Sequence, residues 1–317
     1  AQVKAQVVNQ EAINRMQKDI TIIYTPLHGT GNIPARRVMK EIGFENVYVV
    51  PEQELPNGDF PTVSYPNPEA AEAFELGLKL AREKNADLVL ATDPDADRLG
   101  VYVKDTKSGE YIPLTGNMSG SLLCDYVLSQ KQAAGKIPAD GEVVKSIVTT
   151  NLVDAVAKHY GCKLVEVLTG FKYIGEQIAL LEAGGHPERY IFGFEESYGY
   201  LSGPHVRDKD AVNAVLLICE AAAWYAKKGM TLGDAIDALY AEFGCFCNAQ
   251  KSFTFAGETG MEKMASLMSG LRTHPLQSVA GLPVEGFTDY EQDGTGLPKA
   301  NVLEYRLPGG AKLIIRP

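Results

Sequence analysis

Short apolar stretches rich in β-branched residues alternate with longer segments of helical period along most of the chain. Asp19–Thr25, Asp87–Thr92 and Tyr190–Phe194 are bounded by turn residues and predict buried strands. Glu69–Asn85 carries apolar residues at spacings of three and four and predicts an amphipathic helix. Because strands and helices alternate, the pattern predicts an α/β fold with mostly parallel sheets.

The same alternation continues to about residue 244. Further strands are predicted at Asn46–Val50, Leu99–Val103, Glu110–Ile112, Glu142–Thr149 and Lys163–Leu168. Further helices are predicted at Ile33–Ile42, Asn117–Gln130, Leu152–Tyr160, Lys172–Ala183, Asp208–Ala226 and Thr231–Tyr240. Pro51–Pro68 contains five prolines, which lack a backbone donor, and is predicted to have no regular structure.

The pattern changes beyond Gly244. Strands are predicted there at Ser252–Phe255, Val302–Tyr305 and Ala311–Ile315, with one helix at Met261–Leu271. We therefore expect two doubly wound domains with mixed or parallel sheets, at 1–113 and 114–244. Part of an α+β domain follows at 245–317.

Composition narrows the class of protein. The 317 residues suffice for about two domains with their own cores. The net charge of −10 argues against a nucleic-acid partner, which needs a basic surface. No apolar run reaches the roughly 20 residues that cross a bilayer, and no secretory signal is visible. Five cysteines, an odd number, fit a reducing compartment, so we expect a cytoplasmic protein.

An acidic run directly follows the predicted strand Asp87–Thr92. Asp93, Asp95 and Asp97 alternate with other residues, and on extended backbone their side chains would point the same way. Three carboxylates at one point favour a hard cation such as Mg²⁺ or Ca²⁺. An EF-hand is excluded because its glycine and glutamate positions hold other residues. The alternative is a solvated acidic turn with Arg98 as its counter-ion.

A second polar cluster ends another predicted strand. Glu195 and Ser197 combine a carboxylate with a hydroxyl, as recognition of sugar hydroxyls requires, although a strand end with a helix cap is the alternative. Lys172 lies in a turn where one predicted helix begins, and Arg207 and Lys209 lie in a turn where another begins. Such turns attract phosphate, but they are also typical of ordinary solvated helix starts.

The turn Thr25–Gly31 fits neither a dinucleotide-binding loop nor a Walker loop. Its functional interpretation is that it places His28 and small residues at the mouth of a site. The alternative is a glycine-rich connecting turn.

Taken together, these motifs resemble the α-D-phosphohexomutases, the phosphoglucomutase/phosphomannomutase group. The resemblance covers essentially the whole chain, and its motifs in order are TPLHGTG, FPTVSYPNPE, TDPDADR, TGFKYIG, GFEESYGY and RDKDA. The Mg²⁺ ligands that it implies are Asp93, Asp95 and Asp97. The implied catalytic residues are Arg98, Lys172 and Lys209, with the general acid/base among the two lysines open. The expected substrate-binding residues are His28, Glu195, Ser197 and Arg207.

The resemblance implies interconversion of a hexose 1-phosphate and 6-phosphate, such as the glucose phosphates, through a phosphoserine and a bisphosphate intermediate. The family's Ser-His-Asn-Pro motif does not occur in the chain, and its C-terminal phosphate loop stops after Arg316 and Pro317. We therefore expect an internal fragment that lacks the catalytic serine and is inactive alone. Phosphopentomutase activity, glucose 1,6-bisphosphate formation and a non-catalytic sugar-phosphate-binding module are the alternatives.

Overall fold

The computed structural model describes residues 1–257 and 259–317. They form two compact units, Ala1–Cys247 and Asn248–Pro317, and each is described by itself. The boundary expected near residue 113 lies inside the first unit, so the division into three domains stays a prediction.

The first sheet of the first unit brings two chemically important turns together. Its strands are β1 Thr21–Thr25, β2 Asn46–Val49, β3 Leu88–Thr92, β4 Leu99–Lys104 and β5 Tyr111–Leu114. The order is β2-β1-β3-β4-β5, with β1 parallel to β2 and β3, and with β4 antiparallel to β3 and β5. Since β1 and β3 are parallel neighbours, the turns that follow them meet at one edge of the sheet.

The second sheet has the same plan with fewer strands. Its strands are β6 Glu142–Ser146, β7 Lys163–Val167, β8 Tyr190–Glu195 and β9 Gly199–Ser202. The order is β7-β6-β8-β9, with β6 parallel to β7 and β8, and with β9 antiparallel to β8. The expected α/β class with mixed sheets is confirmed.

Helices cover both sheets of the first unit. Their bounds are α1 Gln10–Met16, α2 Asn32–Ile42, α3 Pro51–Glu54, α4 Glu75–Lys84, α5 Gly116–Ala133, α6 Leu152–His159, α7 Phe171–Ala183, α8 Ala211–Ala226 and α9 Leu232–Phe243. Short 3₁₀ turns occur at Lys4–Gln6, Ala71–Phe74 and Pro187–Arg189. A continuous apolar core contains residues of both sheets together with α2, α5 and α8.

Two predictions of local structure are wrong, and one strand was not predicted. Pro51–Glu54 is one turn of helix, because proline fits the first helical position, where no backbone donor is needed. Gly199–Ser202 is the fully buried strand β9, which the sequence pattern did not predict. Ser252–Phe255 forms no strand, and its Phe253 side chain is 69% exposed, so the alternating pattern buries no face.

Two helix starts show how side chains fix the ends of the helices. The Asp210 carboxylate accepts hydrogen bonds from the backbone N–H groups of Val212 and Asn213, so α8 begins three residues later than predicted. Thr231, where the helix Thr231–Tyr240 was predicted to begin, caps α9 and forms a reciprocal capping box with Asp234.

The second unit is a small α+β arrangement. It contains α10 Gly260–Thr273 and the strands β10 Ser278–Val279, β11 Leu282–Pro283, β12 Gly286–Asp289, β13 Leu303–Arg306 and β14 Lys312–Ile315. β12, β13 and β14 form an antiparallel sheet, and β10 pairs with β11. Met268, Leu303 and Tyr305 are buried against one another.

Across residues 1–257 and 259–317, the structure has no helix that is long and apolar enough to cross a membrane.

A buried carboxylate ties the N-terminal segment to α8. Glu220 is fully buried, and its Oε1 accepts hydrogen bonds from the backbone N–H groups of Val8 (3.0 Å) and Asn9 (2.5 Å) and from the hydroxyl of Tyr126 (2.8 Å). Burial raises the pKa of Glu220 to about 7, although these hydrogen bonds oppose the shift.

This raised pKa predicts a pH-dependent stability. The folded chain binds the Glu220 proton more tightly than the unfolded chain, so this contribution is present at acidic pH and is lost as pH rises towards 7. Relative to Glu220→Gln, the wild-type chain should lose about 3 kcal/mol of unfolding free energy between pH 4.5 and 8. Urea denaturation at several pH values measures this difference. The same comparison with Glu75→Gln, at an exposed helix start, should show no such trend. A difference in unfolding free energy between the wild-type chain and Glu220→Gln that stays constant with pH would contradict the assignment.

Candidate active site

The acidic loop is a tight turn built around the carboxylate of its first residue. Asp93 follows β3 and is 7% exposed, and its Oδ1 accepts hydrogen bonds from the backbone N–H groups of Asp97 (3.0 Å) and Arg98 (2.9 Å). Ala96 has a φ of 59°, in the left-handed region. The loop is therefore curled, and the extended conformation expected from the sequence is wrong.

The turn nevertheless brings the three aspartates together. One carboxylate oxygen each from Asp93, Asp95 and Asp97 lies within 4.8 Å of the others. Asp97 Oδ1 is buried without a hydrogen-bond partner, which is costly unless another group satisfies it. Oxygen ligands of this kind are those that Mg²⁺ prefers, so the donor set and the unsatisfied oxygen fit that ion.

The environment disfavours full ionisation of this cluster when no cation is bound. Burial, together with the negative charges of Asp97 and Asp95, raises the pKa of Asp93 to about 7, against the hydrogen bond from the Arg98 backbone. A divalent cation would offset both the burial and the repulsion.

Two side-chain cations approach the carboxylates. Lys209 Nζ lies 3.3 Å from Asp97 Oδ2, and its side chain is only 14% exposed. Arg98 Nε lies 3.6 Å from Asp93 Oδ2 and 3.8 Å from Asp97 Oδ1. Arg98 Nη1 makes a closer contact, 2.8 Å, with Glu69 Oε1.

The turn after β1 supports the acidic loop from one side. Gly29 has no room for a side chain, because a Cβ there would collide with the backbone of Pro94. The backbone N–H and the hydroxyl of Thr30 both donate to the Pro94 carbonyl, at 2.8 and 3.0 Å. The Thr25–Gly31 turn therefore fixes the loop that carries the carboxylates.

The predicted sugar-binding segment supports the loop from the other side. The Leu99 N–H donates to the Tyr198 carbonyl at 3.0 Å, and Arg98 forms a β-bridge with Gly199. The Ala211 N–H, at the start of α8, donates to the Ala96 carbonyl at 3.1 Å. The acidic loop and the segment between β8 and β9 are thus hydrogen-bonded neighbours.

Two family models match most of the chain. Alpha/beta/alpha domain II of phosphoglucomutase/phosphomannomutase matches residues 2–109, and domain III of the same family matches residues 115–243. The chain belongs to the phosphoglucomutase/phosphomannomutase family.

Individual family members agree with this assignment. A Haemophilus influenzae protein named "Probable phosphomannomutase" is 37% identical over 94% of this chain and 57% of its own length. A phosphoglucomutase of Staphylococcus haemolyticus is 35% identical over 95% of this chain and 55% of its own length. The chain thus spans about half the length of the curated relatives it matches.

Solved structures show the same fold. Parafusin, a phosphoglucomutase of Paramecium in its open form, matches with a TM-score of 0.69 at 21% identity, over 99% of this chain and 53% of its own. A family protein from Burkholderia thailandensis matches with a TM-score of 0.63 at 16% identity, over 96% of this chain and 56% of its own.

In this family member, the two consecutive glutamates at the end of β8 have different partners. Glu195 is buried, and its Oε1 accepts a 2.6 Å hydrogen bond from the Gly170 N–H. Burial raises the pKa of Glu195, while that hydrogen bond and the charges of Lys209 and Arg98 oppose the shift. Glu196 Oε2 instead accepts from the hydroxyls of Ser146 (3.1 Å) and Thr149 (3.3 Å). Ser197, between Glu196 and the left-handed Tyr198, is partly exposed.

Three other predicted site residues, Lys172, Arg207 and His28, make their contacts with residues other than the three aspartates. Lys172 is exposed, with its Nζ 4.9 Å from the centre of the Tyr173 ring. Arg207 is exposed and paired with Glu182.

His28 is buried, with its Nδ1 3.1 Å from the Leu55 carbonyl and its Nε2 2.9 Å from the Thr62 hydroxyl. Both ring nitrogens therefore hold the proline-rich loop, and a substrate contact for His28 stays a prediction.

Sequence reasoning missed part of the wall of the site. A depression of about 320 Å³ is lined by Tyr65, Pro66 and Asn67 together with the acidic loop. These residues belong to the FPTVSYPNPE motif, which marked the family resemblance but received no role. The polar residues between the prolines of this motif are the signal that could have indicated a place in the site.

Replacing one carboxylate should weaken the metal site. Asp97→Asn keeps the shape but removes a charge and leaves a poorer ligand, so the affinity for Mg²⁺ should fall about tenfold or more. Isothermal titration calorimetry measures this. Asp105→Asn is the matched control, because Asp105 lies on the exposed β4–β5 hairpin and accepts from Ser108. Equal losses of affinity for both variants would contradict the site.

Binding of Mg²⁺ should also depend on pH. Below about pH 7 the Asp93 carboxyl holds a proton that the metal must displace, so affinity should fall by up to about tenfold per pH unit. Titrations at pH 6 and 8, in buffers with different ionisation enthalpies, report affinity and proton release together. A pH-independent affinity without proton release would contradict the displacement of a proton from Asp93 by the metal.

Proposed function

We propose that this chain supplies the metal-binding and sugar-binding parts of a phosphosugar mutase that interconverts hexose 1-phosphates and 6-phosphates. The observation that carries the proposal is the direct contact between the two candidate loops, where the Leu99 N–H donates to the Tyr198 carbonyl. A phosphate at the aspartate cluster would thus lie beside a sugar held by the segment after β8.

Asp93, Asp95 and Asp97 would hold Mg²⁺, which when bound neutralises charge on a transferring phosphoryl group. Arg98 would bind a phosphoryl oxygen, since its guanidinium lies beside the same carboxylates and offers several donors. Preorganised charges of this kind supply most of the stabilisation in phosphoryl transfer.

Of the two candidate lysines, the contacts support Lys209 as the general acid/base. It is largely buried and 3.3 Å from Asp97, whereas Lys172 is exposed and rests on the Tyr173 ring. A proton-transfer group must lie within hydrogen-bond reach of the reacting oxygen, which favours the lysine beside the acidic loop. Lys172 and Arg207 would then contact the distal phosphate of the substrate.

Glu195 and Ser197 would orient the sugar. A carboxylate accepts from two neighbouring hydroxyls, and a serine hydroxyl both donates and accepts. The hydrogen bond from Gly170 fixes one Glu195 oxygen and thereby the direction of the other. The relatives carry the names phosphoglucomutase and phosphomannomutase, which supports a glucose or mannose phosphate as substrate.

The mutase reaction on this account needs a phosphoserine. The family resemblance associates it with a Ser-His-Asn-Pro motif, which residues 1–317 do not contain. We propose that a longer protein carries this chain and supplies that serine, in keeping with the length of the relatives.

Activity measurements test the proposal. Residues 1–317, given glucose 1-phosphate, glucose 1,6-bisphosphate and Mg²⁺, should form no glucose 6-phosphate in a dehydrogenase-coupled assay. The longer protein should turn over, and Asp95→Ala should lower kcat by about 100-fold or more, because a phosphoryl-neutralising group is weakened. Asp105→Ala is the control and should retain activity.

Other outcomes would change the proposal. Robust turnover by residues 1–317 alone would contradict the need for the serine. Inactivity of the longer protein on glucose, mannose and ribose 1-phosphates would favour a non-catalytic sugar-phosphate-binding module.

A further inference from the structure

The guanidinium of Arg98 is held most closely from outside the acidic loop. Its Nη1 donates to Glu69 Oε1 at 2.8 Å, whereas its Nε is 3.6 Å from Asp93 Oδ2 and 3.8 Å from Asp97 Oδ1. The contact with Glu69 therefore has hydrogen-bond length, and the two contacts with aspartates are longer than a hydrogen bond.

Glu69 is fixed in this place by the segment that carries it. The Asn67 side chain accepts from the Glu69 N–H at 2.8 Å. Pro68 is buried on β4, where a Cβ at Gly100 would come within 2.8 Å of the Pro68 Cβ and 2.9 Å of its carbonyl oxygen. Since Gly100 is two residues after Arg98, this packing places Glu69 beside the guanidinium.

The consequence appears at Asp97. Its Oδ1 is buried and lacks a hydrogen-bond partner, although Arg98 Nε is only 3.8 Å away. A guanidinium free to move would close this gap, because an unsatisfied buried carboxylate oxygen is costly. An arginine seated on Asp93 and Asp97 would occupy the oxygens and neutralise the charge that a divalent cation requires.

We propose that Glu69 is a positioning residue that holds Arg98 away from the acidic loop and so keeps Asp93 and Asp97 available to Mg²⁺. The inference rests on the proposed function in one respect, namely that the acidic loop binds the ion. Glu69, the last residue of the FPTVSYPNPE motif, would thereby raise the affinity of the acidic loop for Mg²⁺.

A double-mutant cycle on Mg²⁺ affinity tests the proposal by calorimetry on residues 1–317. Glu69→Gln should weaken binding by about two- to fivefold, as expected for an exposed ion pair. Arg98→Gln should tighten binding, because it removes the competing cation. With Arg98→Gln already present, Glu69→Gln should have at most half its original effect on the logarithm of the affinity.

Two further variants separate position from charge. Glu69→Asp keeps the charge but shortens the side chain, so it should weaken Mg²⁺ binding much as Glu69→Gln does. Glu72→Gln removes a nearby charge that accepts from Ser64 instead of Arg98, and it should leave the affinity unchanged. Thermal melts of all variants should coincide with the wild type, so that a loss of affinity does not report unfolding.

The outcomes distinguish this inference from the proposed function. An equal effect of Glu69→Gln in both backgrounds would overturn the inference alone, since Glu69 would then act through its own charge. Weaker binding by Arg98→Gln would overturn it as well. Absence of Mg²⁺ binding by the wild-type chain would overturn both the metal site and the inference.

Discussion

The two backbone hydrogen bonds to Asp93 Oδ1 are the constraint on which the candidate site depends. They curl the chain just after β3, so that the next two aspartates turn back towards the first. They also help to keep a carboxylate buried that would otherwise be strongly disfavoured. Without this turn, the aspartates would remain a solvated acidic run with no common ligand position.

The surrounding structure keeps the turn rigid through backbone contacts from three separate parts of the chain. The turn after β1 holds the Pro94 carbonyl, the start of α8 holds that of Ala96, and the segment after β8 bonds to Leu99. Because backbone groups make these contacts, the arrangement tolerates many side-chain changes but few changes of backbone path. The close approach of the turn after β1 to the Pro94 backbone also leaves no room for a side chain at Gly29.

Much of the fold could be predicted from the sequence, since strands such as Leu88–Thr92 and helices such as Asn32–Ile42 are encoded by local periodicity. The acidic run Asp93–Asp97, from which a metal loop was predicted, is likewise visible in a short stretch of sequence. Strand β9 was missed because the glycines and polar residues around it are typical of turns, and only pairing with β8 makes it a strand. The contact between Glu69 and Arg98 spans 29 residues of sequence, so no local pattern could reveal it.

The most direct test of the account is a crystal structure of residues 1–317 grown with Mn²⁺, which replaces Mg²⁺ and is visible by anomalous scattering. One strong anomalous peak is expected within bonding distance, about 2.1 Å, of oxygens from Asp93, Asp95 and Asp97. The Arg98 guanidinium should stay beside Glu69. A map with no peak at the loop, or with Arg98 seated directly on Asp93 and Asp97, would contradict the account.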